Sequence, residues 1–196
     1  GEHRKVYADR FDDLLFVKVS TRIGAGVIAG GGILRGALGA AGEIGHIPVR
    51  DGGGVLCRCG NTDCVDSVAS ATAILRDLRA RGRDVSSLAD AVALVRAGDA
   101  ETMAVVRRAG RLLGEVVASA VNLLNPAVVV LGGDVVEAFQ PLVSAVREVV
   151  YSRSTALATR SLRIERSALG PAAGIAGCAL LAIDHVLSAE AVDAPR

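Results

Sequence analysis

Ala127 to Leu131 are apolar without interruption, held between Asn125-Pro126 and Gly132-Gly133. A run this short, rich in β-branched residues and bounded by turn formers, predicts a strand covered on both faces, as in a partly parallel sheet. Residues 14–20 and 25–29 predict two more strands, separated by Thr21-Arg22-Ile23-Gly24. The Gly30-Gly31-Gly32 turn leads into Ile33-Leu34 and completes a β-meander. Helices are predicted at 84–97 and 99–124. In the second, Val106, Ala109, Leu113, Val116, Val117, Ala120, Val121 and Leu124 form one apolar stripe, and Arg107, Arg108, Arg111 and Glu115 occupy the other face. Asn125-Pro126 stops that helix. A helix follows Gly132-Gly133 directly and runs to about residue 151, then a short strand at 161–165, then a last helix at 171–187 opened by Pro171. The succession predicts an α/β fold. No internal repeat or linker divides residues 1–196.

Composition narrows the picture. The chain is 51% hydrophobic but only 3% aromatic, with no Trp, so its core must be built from Ala, Val, Leu and Ile. Net charge is +1 with both signs interspersed, which supplies no electropositive face for duplex DNA. Arg76, Arg79, Arg81 and Arg83 close a predicted helix, where cations complement the carboxyl-end dipole. No apolar run has the length of a membrane span and the first ten residues do not resemble a signal peptide, so the expectation is a cytoplasmic protein with no membrane partner. Residues 112–124 and 135–150 carry more apolar helical surface than a small lobe normally hides, which predicts a homodimer, with cover by a missing lobe as the alternative. The first residues read as the tail of a helix that begins earlier, and the chain is expected to be a fragment.

The candidate chemistry lies between residues 42 and 66. His46, Cys57, Cys59 and Cys64 fall within nineteen residues of a Gly-rich loop, a donor set able to wrap one Zn²⁺ tetrahedrally. Oxidised thiols are the alternative, although Cys57 and Cys59 are too close in sequence to bridge each other comfortably. Cys178, in an Ala/Leu-rich helix, reads as a small core residue. Glu43 precedes His46 by three residues and shares one side of a helical turn with it. An imidazole fixed by a metal through one nitrogen keeps the other for a substrate hydroxyl, and the neighbouring carboxylate can accept from vicinal hydroxyls. That pairing suits a sugar. Asp66 is either a second carboxylate delivered to the same neighbourhood or the N-cap of a helix starting near Ser67.

The run Gly42-Glu43-Ile44-Gly45-His46, with Cys57-Arg58-Cys59-Gly60-Asn61 and Cys64-Val65-Asp66, resembles the signature of the ROK family of bacterial sugar kinases and sugar-responsive repressors. The likeness continues through Thr21 to Gly26, Arg35-Gly36, Asn125-Pro126, Gly132-Gly133 and the segment 170–177. The resemblance implies an actin-like (ribonuclease H-like) ATPase fold of two lobes, of which this chain matches the carboxyl-terminal one: a mixed sheet with flanking helices and a zinc-binding loop. It implies sugar contacts from Glu43, His46 and Asp66, although the family usually has Glu where Asp66 stands. It implies a structural zinc on His46, Cys57, Cys59 and Cys64. Thr21, Gly24 and Gly26 correspond to the family's second phosphate loop, and Gly132 and Gly133 to its adenosine-side turn; an ordinary strand-to-helix connection is the alternative for the latter pair. Arg22 stands where Gly is common, and its side chain either blocks the phosphate approach or reaches a phosphate as a cation.

The catalytic Asp and first phosphate strand of the family belong to the other lobe, so no catalytic residue is assigned here. The expected function is the sugar-sensing domain of a ROK transcriptional regulator, which would meet DNA only through an amino-terminal helix-turn-helix outside this chain. The alternative is an ATP- and Mg²⁺-dependent sugar kinase of the glucokinase or fructokinase type. A third possibility is a lobe whose zinc only stabilises the fold.

Overall fold

The computed structural model describes residues 1–187. Five strands, β1 (Leu14–Val19), β2 (Ile23–Ala29), β3 (Gly32–Leu34), β4 (Val128–Gly132) and β5 (Arg163–Arg166), form one sheet in the order β3-β2-β1-β4-β5. The meander β1-β2-β3 is antiparallel, and β1-β4-β5 is parallel. β1 is therefore central, β4 lies inside the sheet between β1 and β5, and all five residues of β4 are buried. Val129 and Leu131 enter the main core with Leu15, Val17 and Val19, whereas Val128 and Val130 join a smaller cluster with Tyr7 and Leu14 on the opposite face. Burial on both faces is why its sequence is apolar without alternation.

The helices are α1 (Val65–Ala69), α2 (Ala71–Ala80), α3 (Leu88–Arg96), α4 (Ala100–Leu124), α5 (Asp134–Ala138), α6 (Gln140–Arg153), α7 (Ala156–Thr159) and α8 (Ala172–Val186), with a short helical segment at His3–Tyr7 and a single 3₁₀ turn at Ile44–His46. The Asp99 carboxylate caps α4 by accepting from the Thr102 N–H at 2.7 Å, and Asn125 ends it in the left-handed conformation. The predicted stripe of α4 is buried except for Leu124 at its end.

Much of the apolar surface of residues 112–124 and 135–150 is covered inside the fold, because α4 and α6 pack on each other, while Leu123 stays exposed. Gly110 and Gly114 permit this approach: a Cβ at Gly110 would lie 2.6 Å from the Leu142 carbonyl oxygen, and one at Gly114 would lie 2.7 Å from Val149 Cβ. Gly110→Val should therefore force the helices apart and destabilise the fold by about 1–3 kcal/mol, read as a lower denaturation midpoint at unchanged m-value. An unchanged midpoint would show that the contact is plastic.

Other expectations are corrected. The helix predicted from residue 84 begins at Leu88, because Ser87 and Asp90 form a reciprocal capping box and Arg79 holds the Val85 and Ser86 carbonyls outside the helix. The helix after Gly133 breaks at Phe139, since Pro141 has no N–H to continue the ladder and opens α6 instead. Ile23 and Gly24 belong to β2 rather than to the turn, and β5 begins two residues later than expected. Arg81 and Arg83 pair with Glu101 and Asp99, so they join α2 to α4 rather than merely facing a helix dipole. Asp66 is not an N-cap; it lies in the first turn of α1, which follows Cys64, and Ser70 caps α2. Cys178 is exposed on α8, whose described apolar residues are mostly uncovered. No described helix is long and apolar enough to cross a membrane.

Candidate metal and ligand site

The segment between β3 and α1 folds as two loops joined by isolated pairings, Pro48 with Cys64 and Leu56 with Thr62. Within the second loop, Cys57 N–H donates to the Asn61 carbonyl at 2.7 Å and Gly60 N–H returns to the Cys57 carbonyl at 3.0 Å. This tight return needs Gly60 at φ +93°, which L side chains rarely adopt. The Asp63 carboxylate accepts from the Gly54 and Val55 N–H groups at 3.1 and 2.8 Å and fixes the loop's other limb.

These constraints converge the four predicted donors. One ligand atom from each of His46, Cys57, Cys59 and Cys64 lies within 4.8 Å of all the others. His46 Nδ1 is 3.5 Å from Cys57 Sγ, and Cys59 Sγ is 3.6 Å from Cys64 Sγ. A tetrahedral ion with sulfur bonds of ~2.3 Å and a nitrogen bond of ~2.0 Å has edges of about this length, so these two pairs match a metal site and the donor set suits one ion. All four cysteines are free thiols in this structure. Burial pushes the Cys64 thiol up to about 12, while the Asn61 backbone N–H lowers that of Cys59. A bound cation reverses the effect of burial on Cys64, because coordination favours the thiolate.

His46 joins the cluster to the surface. Its Nδ1 faces Cys57, and its Nε2 faces Glu43 Oε2 at 4.0 Å. The Glu43 side chain is 70% exposed, whereas the imidazole is about a quarter exposed. A metal on Nδ1 would fix the ring and its tautomer, leaving Nε2 and the carboxylate side by side for hydroxyl groups.

The remaining predicted residues separate into two regions. Asp66 is directed elsewhere than Glu43: its carboxylate accepts from the Ile23 N–H at 2.7 Å and faces Arg22 at 3.4 Å. It lines a cavity of about 250 Å³ with Thr21, Arg22, Cys57 and Arg58. Gly26 and Gly133 line a larger cavity of about 430 Å³, bounded by the outward residues of β1 and the start of α8. Gly132 packs against Phe16, and Gly24 borders open space. Sequence reasoning missed Lys18 and Asp134, both of which line the larger cavity. For Lys18 the signal was present: the alternation of β1 sets it on the same face as Leu14 and Phe16, opposite Val17 and Val19.

Comparison with known proteins agrees with this architecture. The profile of the ROK family matches residues 1–185. The chain is 34% identical to a glucokinase of Halalkalibacterium halodurans over 90% of its own length and 58% of the relative's. It is 32% identical to the xylose repressor of Bacillus subtilis over 92% of its length and 46% of the repressor. It thus spans about half the length of these curated relatives. The ROK hexokinase structure from Thermus thermophilus superposes with a TM-score of 0.81 at 34% identity, covering 94% of this chain and 62% of the hexokinase. The mixed sheet and flanking helices are the actin-like ATPase arrangement expected from the sequence.

Proposed function

Because the chain belongs to the ROK family, we propose that it is the carboxyl-terminal lobe of a two-lobed protein and serves as the sugar-sensing domain of a transcriptional regulator. The observation that carries this reading is the two-sided imidazole of His46, with Nδ1 in the cysteine cluster and Nε2 beside Glu43. On this reading the ion is zinc, held by His46, Cys57, Cys59 and Cys64; three sulfurs and one nitrogen are the donors that suit it. Its contribution is to order the loop. Glu43 and His46 then contact vicinal hydroxyls of the sugar, and Asp66 backs the same loop. DNA is met through a segment outside this chain, and the protein works in the cytoplasm. A homodimer is part of the proposal; Leu123 and Leu157, each more than 80% exposed, are candidate contacts.

Arg22 favours regulation over catalysis, since a half-exposed guanidinium sits at the turn that corresponds to the second phosphate loop. A second reading, an ATP-dependent sugar kinase, is favoured by the 430 Å³ cavity lined by Gly26, Gly133, Lys18 and Asp134, which is large enough for a nucleoside. Nucleotide contacts from Thr21, Gly24, Gly26, Gly132 and Gly133 belong to that reading. The two are separated by assaying the full-length protein for hexose-dependent ATP turnover. The regulator reading expects no turnover above background with any hexose of a panel, together with sugar-dependent change in binding to its own promoter DNA. Turnover at ordinary kinase rates, about 1–100 s⁻¹, would establish the kinase.

A further inference from the structure

The turn joining β1 to β2 is held from outside. Ala71 N–H donates to the Ser20 carbonyl at 2.8 Å and Thr72 Oγ1 to the Thr21 carbonyl at 3.3 Å; beyond the turn, within β2, Ala25 N–H donates to the Gly42 carbonyl at 2.9 Å. Where the turn enters β2, the Ile23 N–H, which is buried, donates to Asp66 Oδ1 at 2.7 Å. The Asp66 side chain is only 9% exposed, and its other oxygen faces Arg22. Gly45 presses on the same point: a Cβ there would lie 2.2 Å from the Ile23 carbonyl oxygen and 3.6 Å from Asp66 Cβ.

Asp66 is two residues from Cys64, on the short helix that the metal cluster begins, and Val65 N–H is tied to the Ile47 carbonyl at 3.0 Å. Any displacement of Cys64 is therefore delivered to the carboxylate that accepts from Ile23. Losing that acceptor leaves a buried N–H unpaired.

We propose that Asp66 is a positioning residue that fastens the β1–β2 turn to the metal loop, so that metal occupancy at His46, Cys57, Cys59 and Cys64 sets the conformation of residues 20–23. The pairing also draws Arg22 toward α1 and fixes where its guanidinium stands at the turn. The inference rests on the metal reading that the proposed function shares and needs neither sugar nor DNA: an Ile23 amide that ignores a bound zinc overturns it alone, whereas a protein that binds no zinc overturns both.

Amide hydrogen exchange on the Zn²⁺-loaded protein tests it. Ile23 should exchange slowly in the wild type. Chelation, and separately Asp66→Ala with zinc still bound at one per chain, should each accelerate it by roughly tenfold to a hundredfold. Asp66→Asn, whose amide oxygen can still accept from Ile23, should restore slow exchange. Chelation uses the wild-type sequence and so decides the matter even where Asp66→Ala does not fold. The inference is overturned if chelation accelerates residues 46–64 while Ile23 stays slow, or if Asp66→Ala leaves Ile23 slow. It is also overturned if Asp66→Asn exchanges as fast as Asp66→Ala, or if the protein binds no zinc.

Discussion

Cys64→Ser is expected to empty the metal cluster and to lower the melting temperature more than any other single change at the site. Cys64 is fully buried, takes part in one of the loop's two isolated pairings, with Pro48, and immediately precedes α1, so its sulfur would join a bound ion directly to the helical layer. Structural zinc contributes on the order of 10–16 kcal/mol of apparent binding energy in small zinc domains. If only about 5 kcal/mol of that supports this larger fold, its loss corresponds to a fall of roughly 10–20 °C. Cys178→Ser is the matched control, because that thiol is exposed and outside the cluster. Metal analysis beside thermal melts of both variants checks the prediction. A Cys64→Ser protein that melts with the wild type would show that the ion, if bound, carries no part of the fold.

Glu43→Ala should have the opposite profile, with metal and fold intact and sugar binding lost. The side chain is 70% exposed and makes no hydrogen bond within the described protein shorter than its 4.0 Å approach to His46, so truncation should change stability by less than about 0.5 kcal/mol. A carboxylate accepting from two sugar hydroxyls contributes ~1.5–3 kcal/mol per bond, so affinity should fall by roughly a hundredfold or more. Ligand-induced thermal protection should vanish in Glu43→Ala while zinc stays at one per chain. His46→Ala should lose both, since the proposal gives one ring both functions. Protection unchanged in Glu43→Ala would remove that carboxylate from the sugar site.

Much of this was legible in the sequence because the relevant signals are local. The uninterrupted apolar run of β4, the alternation of β1 and the stripe of α4 each follow from periodicity. The four donors are close in the chain, so Gly-permitted turns suffice to gather them. What escaped depends on tertiary partners. Phe139 looks helical by pattern, yet it is extended and fully buried because Pro141 restarts the helix. Asp66 was ambiguous because its decisive partner, Ile23, lies 43 residues earlier. How far α4 and α6 cover each other's apolar faces could not be read from periodicity, because it depends on the close approach that Gly110 and Gly114 permit. Cys178 was placed in the core by composition alone, and α8 leaves it uncovered.

The central claim is that a metal-ordered loop presents Glu43 and His46 to a sugar. Calorimetric titration of a hexose panel into the full-length protein, metal-loaded and then metal-stripped, tests it most directly. Saturable binding of at least one hexose to the loaded form, abolished on stripping and regained when zinc is returned, is the predicted result. Equal binding with and without the metal, or no hexose bound by the loaded protein, would contradict it.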